Sequence, residues 1–291
     1  MSPIVVLAAL AAVILWGASP VAAKVAVADL SPFAVAVLRT FLGGALAVPV
    51  ALAMKVPWPG ERRLQLILLL SAFCGFIAFP MLFTFGVRLT SANHASMILA
   101  ALPIFTGAIA MTWDRKRPTR IWILGSLIAL IGEVILIGGR TGGGTGQATV
   151  AGDALVLLSN CFASLGYVAG GRLQQAGYPS TGTAFWGAAA MALVLAPTVP
   201  ALWMRGDLAV ASVPAWSAIA YLAVVVTILG YVLWYWALGR GGIARVGLIQ
   251  FLQPVSGIIL AALLLHEAVS LSFLLASALV LFGVWLAIRG K

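Results

Sequence analysis

Apolar residues run through this chain in long blocks separated by short polar stretches, with no alternation and no single apolar stripe. The blocks cover residues 3–23, 31–54, 63–87, 91–113, 118–137, 153–173, 181–203, 214–238, 242–265 and 270–288. A helix needs about 20 residues to cross a bilayer core of about 30 Å, whereas barrel strands would show short alternating segments. The pattern therefore predicts an all-α integral membrane protein with ten transmembrane helices. The first block could be mistaken for a signal peptide. It has no basic residue before it and is interrupted by Trp16, Gly17 and Pro20, so it is expected to stay as the first helix.

A second pattern lies over the first. The stretch SANHASMILAALPIF, 91–105, recurs in altered form as GIARVGLIQFLQPVS, 242–256, and the register that pairs Pro103 with Pro254 also pairs Gly132 with Gly283. Matching interruptions in two halves of an apolar chain point to a transporter whose site lies between related repeats. The expected division is 1–138 and 153–291, joined by a Gly-rich connection at 139–152. That connection has no GKS/T ending and no strand before it, so a phosphate cradle is not expected.

Composition strengthens the membrane assignment, because 63% hydrophobic and 8% charged residues cannot coat a water-soluble globule. The net charge of +10 falls in short loops and reads as a topology signal rather than a nucleic-acid surface. With the N-terminus cytoplasmic, the inner loops and ends hold Lys55, Arg62, Arg63, Arg115, Lys116, Arg117, Arg120, Arg172, Arg240, Arg245, Arg289 and Lys291. The outer connections hold Lys24, Arg88, Arg140 and Arg205. Both termini are thus expected inside, and five helices per half would place the second half upside down. Cys74 and Cys161 lie in apolar runs without a CxxC or Cys/His arrangement and are expected to be inert. No metal or cofactor is expected.

Pro20, Pro80, Pro103 and Pro254 interrupt helices 1, 3, 4 and 9. Each would free the carbonyl four residues earlier, those of Trp16, Phe76, Leu99 and Gln250, which must find another partner or line a wet cavity. Trp16, Phe79, Tyr167 and Phe251 calculate to near mid-membrane and could stack on an aromatic or apolar substrate. Asn160, Gln250 and Gln253 could orient it without a buried charge, and His94 joins this candidate set. The competing reading for these side chains is helix-to-helix packing and hydrogen bonding. Trp234, Tyr235 and Trp236 are expected to be interfacial anchors at the inner end of helix 8. Glu133, Arg39 and Lys24 are expected to form an ion pair within the membrane, with proton coupling through Glu133 or His94 as the alternative.

These residues resemble the drug/metabolite transporter superfamily, specifically its ten-helix exporters with two EamA-type repeats. The likeness rests on Trp16-Gly17 through Pro20 and Lys24, Pro32 to Arg39, Thr90-Ser91-Ala92 through Leu102-Pro103, and Leu252 to Gly257 with His266-Glu267. It implies a basket of ten helices in two inverted repeats around a central cavity lined by helices 1, 3, 4, 6, 8 and 9. It also implies export by alternating access through a bacterial inner membrane, with a small-molecule substrate, the lipid bilayer as surroundings and a functional monomer. The midplane aromatics make the chain look most like the aromatic-amino-acid exporters. A multidrug exporter is the nearest alternative, and an intramembrane enzyme is disfavoured because His94 and His266 lack HExxH or GxSxG surroundings.

Overall fold

The computed structural model describes residues 2–138, 148–204, 206, 208–209, 211–241, 246, 249–250, 252–267 and 269–289. Among them there is no strand, and ten helical segments follow one another: α1 Pro3–Asp29, α2 Pro32–Ala53, α3 Arg62–Leu89, α4 Ala92–Trp113, α5 Arg120–Gly138, α6 Val150–Gln175, α7 Ser180–Met204, α8 Val213–Gly241, α9 Leu252–Leu265 and α10 Leu271–Arg289. Seven of them are long and apolar enough to cross a membrane, and α9 is a shorter apolar helix. Large apolar side chains such as Leu193, Val213 and Leu271 point outward, as in a protein bathed in lipid. Cys74 and Cys161 are unbridged.

The helix starts follow from local chemistry. Ser31, Ser91, Thr149 and Ser212 each accept a hydrogen bond from the backbone N–H three residues on, closing the first turns of α2, α4, α6 and α8. The first helix extends beyond the expected end at residue 23. Nothing in AKVAVAD breaks it before Leu30, so Lys24 sits on the helix rather than in a connection.

Five long helices change geometry partway, α7 by a 3₁₀ turn at Ala196–Thr198. α1 turns at Ala18, and α4 tightens to a 3₁₀ turn at Leu99–Ala101. α3 and α8 widen to π-helix at Phe73–Ala78 and Tyr221–Gly230. The register that pairs Pro103 with Pro254 also places 224–229, inside the second π segment, opposite Phe73–Ala78, and the 3₁₀ residues Ile249 and Gln250 opposite 98–99.

The same register governs the crossing of α5 and α10. A Cβ on Gly125 would come within 2.6 Å of the Gly283 carbonyl, one on Gly283 within 2.7 Å of the Gly125 carbonyl, and one on Gly132 within 2.8 Å of the Val280 amide. The two helices therefore run antiparallel with their backbones touching, a close approach that only glycine permits.

Candidate functional site

The prolines sit where helices restart. Pro20, Pro80 and Pro103 are second residues of the segments beginning at Ser19, Phe79 and Leu102, and Pro254 is the third residue of α9. In the first turn a missing N–H costs nothing. Three of the four carbonyls expected to be freed find partners. Phe76 O accepts from Thr40 Oγ1 at 2.7 Å, Leu99 O from the Leu102 amide, and Trp16 O from the Ala18 amide. Around the α4 break, Asn160 Nδ2 donates to Ile98 O at 2.7 Å and Ser164 Oγ to Leu102 O at 3.2 Å, so α6 stitches the interruption closed. A Cβ on Gly17 would land on Ser256 Oγ, and one on Gly257 would lie 2.9 Å from Gly17 O and 2.5 Å from Ser96 Oγ. The breaks of α1, α4 and α9 thus meet at one level.

Beside this junction is a cluster of rings. Trp16 stacks on Tyr167 with centroids 6.1 Å apart and 11° between planes, and it meets Tyr231 edge-on at 5.1 Å and Trp234 at 5.5 Å. Phe76 lies 4.9 Å from Tyr231, and Tyr235 5.8 Å from it. Trp16 Nε1 donates to Val226 O at 3.1 Å, a carbonyl inside the π segment of α8, which fixes the indole plane. Ser71 Oγ donates to Gly166 O at 2.8 Å.

The anchoring role expected for Trp234 and Tyr235 is overturned, since both are 2% exposed within this cluster. Only Trp236 behaves as expected near an end, under the Arg240 guanidinium at 4.4 Å from its ring centre. Tyr231 and Phe76 were missed, although the spacing of Tyr231, Trp234 and Tyr235 places them on one helix face.

The remaining candidates divide. Tyr167 is half-buried in the cluster, and Gln253 adjoins it through Gly17. Gln250 Nε2, Gln253 Oε1, Asn160 Oδ1 and Trp234 Nε1 are buried without a hydrogen-bond partner. The ring contact of Phe79 is with Phe83, at 5.3 Å, rather than with Trp16. Phe251 lies outside the described residues.

His94 belongs elsewhere, at the end of the bundle where α4 begins. Its Nδ1 meets Asp153 Oδ2 at 3.0 Å, and Thr90 Oγ1 donates to the other carboxylate oxygen. There the Glu267 carboxylate accepts from the Ala92 and Asn93 amides, both at 2.8 Å, capping α4 from the α9–α10 connection. Lys24 Nζ donates to Val87 O at 3.0 Å and to Thr90 O, and Arg88 to Val27 O. A cavity of about 460 Å³ opens beside them, lined by Lys24, Asp29, Arg88 and Ser212 among others.

The expected Glu133 ion pair is not formed. Both Glu133 oxygens lack a partner, Lys24 is engaged with carbonyls, and Arg39 faces Tyr231 instead. Asp153, held by His94 and Thr90, adds a like charge to the surroundings of Glu133 rather than a counter-ion. Arg39 lies at a different place in the bundle from Glu133. Thr40, next to Arg39, bonds to Phe76 in the π segment of α3, well inside the bundle.

An all-helical bundle with broken, polar-lined helices and a central ring cluster is the architecture of a multi-span membrane transporter. The EamA-like transporter family matches residues 3–138 and again 150–289, and the chain belongs to that family, within the drug/metabolite transporter superfamily. It is similar to the transporter YdeK of Bacillus subtilis, 31% identical over 95% of this chain and 94% of that one. It is 28% identical to a probable amino-acid metabolite efflux pump of Salmonella typhimurium, over 97% and 94% of the two chains. It is also 28% identical to a probable terminal-alkyne amino-acid exporter of Streptantibioticus cattleyicolor, over 79% and 75%. A solved crystal structure at 22% identity shares the fold, with a TM-score of 0.62 over 97% of this chain and 96% of that one.

Proposed function

We infer that this transporter exports small zwitterionic metabolites, foremost amino acids with aromatic or large apolar side chains, across a bacterial inner membrane by alternating access. The observation that carries the reading is the ring cluster of Trp16, Tyr167, Tyr231 and Trp234 beside unpartnered amide groups of Gln250 and Gln253. Flat apolar faces suit an aromatic side chain, and amide groups suit its polar head. The Salmonella and Streptantibioticus relatives, a probable amino-acid metabolite efflux pump and a probable terminal-alkyne amino-acid exporter, agree with it. The multidrug alternative calls for an acid at the substrate path, whereas Glu133 faces Asp153 near the start of α6.

In this reading residues 1–138 and 153–291 are two halves of opposite orientation joined by 139–152, acting as a monomer with both termini in the cytoplasm. The double family match and the antiparallel contact of α5 with α10 support the division, and the basic inner loops support the orientation.

Uptake of labelled phenylalanine, tryptophan and methionine into proteoliposomes, with and without a pH gradient, tests the substrate class. Saturable uptake is expected, and cationic-dye transport without any amino-acid transport would overturn it. Impermeant labelling of cysteines placed at Lys116 and Ser270 tests the orientation. Labelling of Ser270 alone from outside is expected.

A further inference from the structure

Arg39 is 2% exposed, and its Nε and Nη1 atoms have no hydrogen-bond partner. Among the described residues the ion pairs are His94–Asp153, Lys116–Asp114 and Arg172–Asp114, so no carboxylate reaches this guanidinium. The Thr40 bond to Phe76 O holds this turn of α2 against the π segment of α3. Phe76 lies against Tyr231, whose ring meets Trp16, and Tyr231 is within electrostatic reach of Arg39. The cation therefore stands at the wall of the ring cluster.

A buried unpaired ion costs several kcal/mol. A carboxyl group in that position can take up a proton, but a guanidinium in a protein keeps its own. The remaining relief is an anion, and the planar fork of donors matches a carboxylate. We propose that Arg39 receives the carboxylate of the transported molecule while the rings around Trp16 hold its side chain. The proposal rests on the amino-acid reading above and adds a requirement to it: the substrate must bring a negative charge to the cluster. It also gives the π segments a place, since α2 meets the wide turn Phe73–Ala78 at Thr40 and the wide turn Tyr221–Gly230 at Gly43, one turn beyond Arg39. π-Helical turns recur at functional sites.

Competition against labelled phenylalanine in proteoliposomes tests it. Unlabelled phenylalanine and 3-phenylpropionate should compete. Phenylalaninamide, which keeps the ring but lacks the carboxylate, should compete about 10–100-fold less well, the range a charge-assisted contact supplies. Arg39→Gln should erase that discrimination with little change for the amide, and Arg39→Lys should restore part of it. A purely structural Arg39 would weaken all three ligands alike. Equal competition by phenylalaninamide in the native protein overturns the proposal, as does a folded Arg39→Gln that keeps the preference. Should Arg39→Gln fail to fold, the native comparison decides alone. Absence of all amino-acid uptake would defeat the exporter reading. The Arg39 assignment would then be decided by thermal stabilisation of the purified protein with 3-phenylpropionate, and no stabilisation would overturn it.

Discussion

Trp16 on α1 and Tyr167 on α6 lie face to face, 11° from parallel, with their ring centres 6.1 Å apart. The indole is clamped by Val226 O on one edge and by Tyr231 and Trp234 on the others, whereas Tyr167 is only half-buried. The two halves of this stack should therefore respond differently to truncation. Trp16→Ala empties the core of the cluster and should cost about 3–5 kcal/mol of stability. Tyr167→Ala should leave most of the folded protein intact and raise the KM for phenylalanine several-fold, read from detergent melting curves beside proteoliposome uptake. Native KM in Tyr167→Ala would remove that ring from the site.

The contact of α5 with α10 yields a packing prediction. Gly125→Leu drives a side chain into the backbone around Gly283 and Ala287 and should abolish the monodisperse peak in size-exclusion chromatography. Gly60→Ala, which meets nothing within 4 Å, should elute as the native protein does. Equal behaviour of the two variants would mean that this crossing does not hold the bundle together.

Glu133 was expected to be a stabilising ion pair, and the structure reverses the sign of that expectation. Its oxygens have no partner at 1% exposure, so Glu133→Gln removes no hydrogen bond while deleting the penalty of a buried carboxyl. Thermal stability should be unchanged or higher. A drop of more than about 1 kcal/mol, the worth of a typical hydrogen bond, would restore a structural partner.

The membrane class, the helix number and the paired interruptions were legible because each is written locally, in run length and in the positions of Pro and Gly. What the chain could not disclose was rotation and depth. Trp234 and Tyr235 were assigned to the interface by counting 1.5 Å per residue, yet the ten-residue π segment Tyr221–Gly230 changes the helix path before them. Arg39 was expected to pair with Glu133, while α2 packs its Thr40 against the middle of α3. The amide side chains admitted two readings from the sequence, stitching or site. Asn160 serves one role with Nδ2, and its Oδ1 remains free of a partner, a division visible only in three dimensions.

Tyr178, in the connection between α6 and α7, donates its hydroxyl to Pro57 O at 2.9 Å, and burial pushes the phenol up to about 12. The folded state favours the neutral phenol, so this contribution is complete below the ordinary tyrosine value of about 10. It is lost as pH rises from there through about 12. Tyr178→Phe should cost about 1 kcal/mol at neutral pH and flatten the alkaline decline of the melting temperature. An alkaline decline as steep as that of the native protein would place the titrating group elsewhere.

Glu267 and the first turn of α4 make the last prediction. Both carboxylate oxygens accept backbone amides, those of Ala92 and Asn93, at 2.8 Å, so a residue after α9 holds the start of α4 across the two family-matched halves. The negative charge also meets the positive end of a helix dipole. The repeat register places Lys116 opposite Glu267, and a lysine cannot accept an amide hydrogen, so the other half has no matching latch at this position. We expect this latch to favour closure at the α4-start end. Glu267→Gln keeps one acceptor but loses the second and the charge, at a cost of about 1–2 kcal/mol, enough to raise the open population at that end roughly tenfold. A cysteine introduced at Ala28, on the wall of the nearby cavity, should then react faster with an impermeant maleimide. Glu267→Asp, too short to reach both amides, should fall between. Identical maleimide rates in all three proteins would show that the carboxylate caps a helix without governing access.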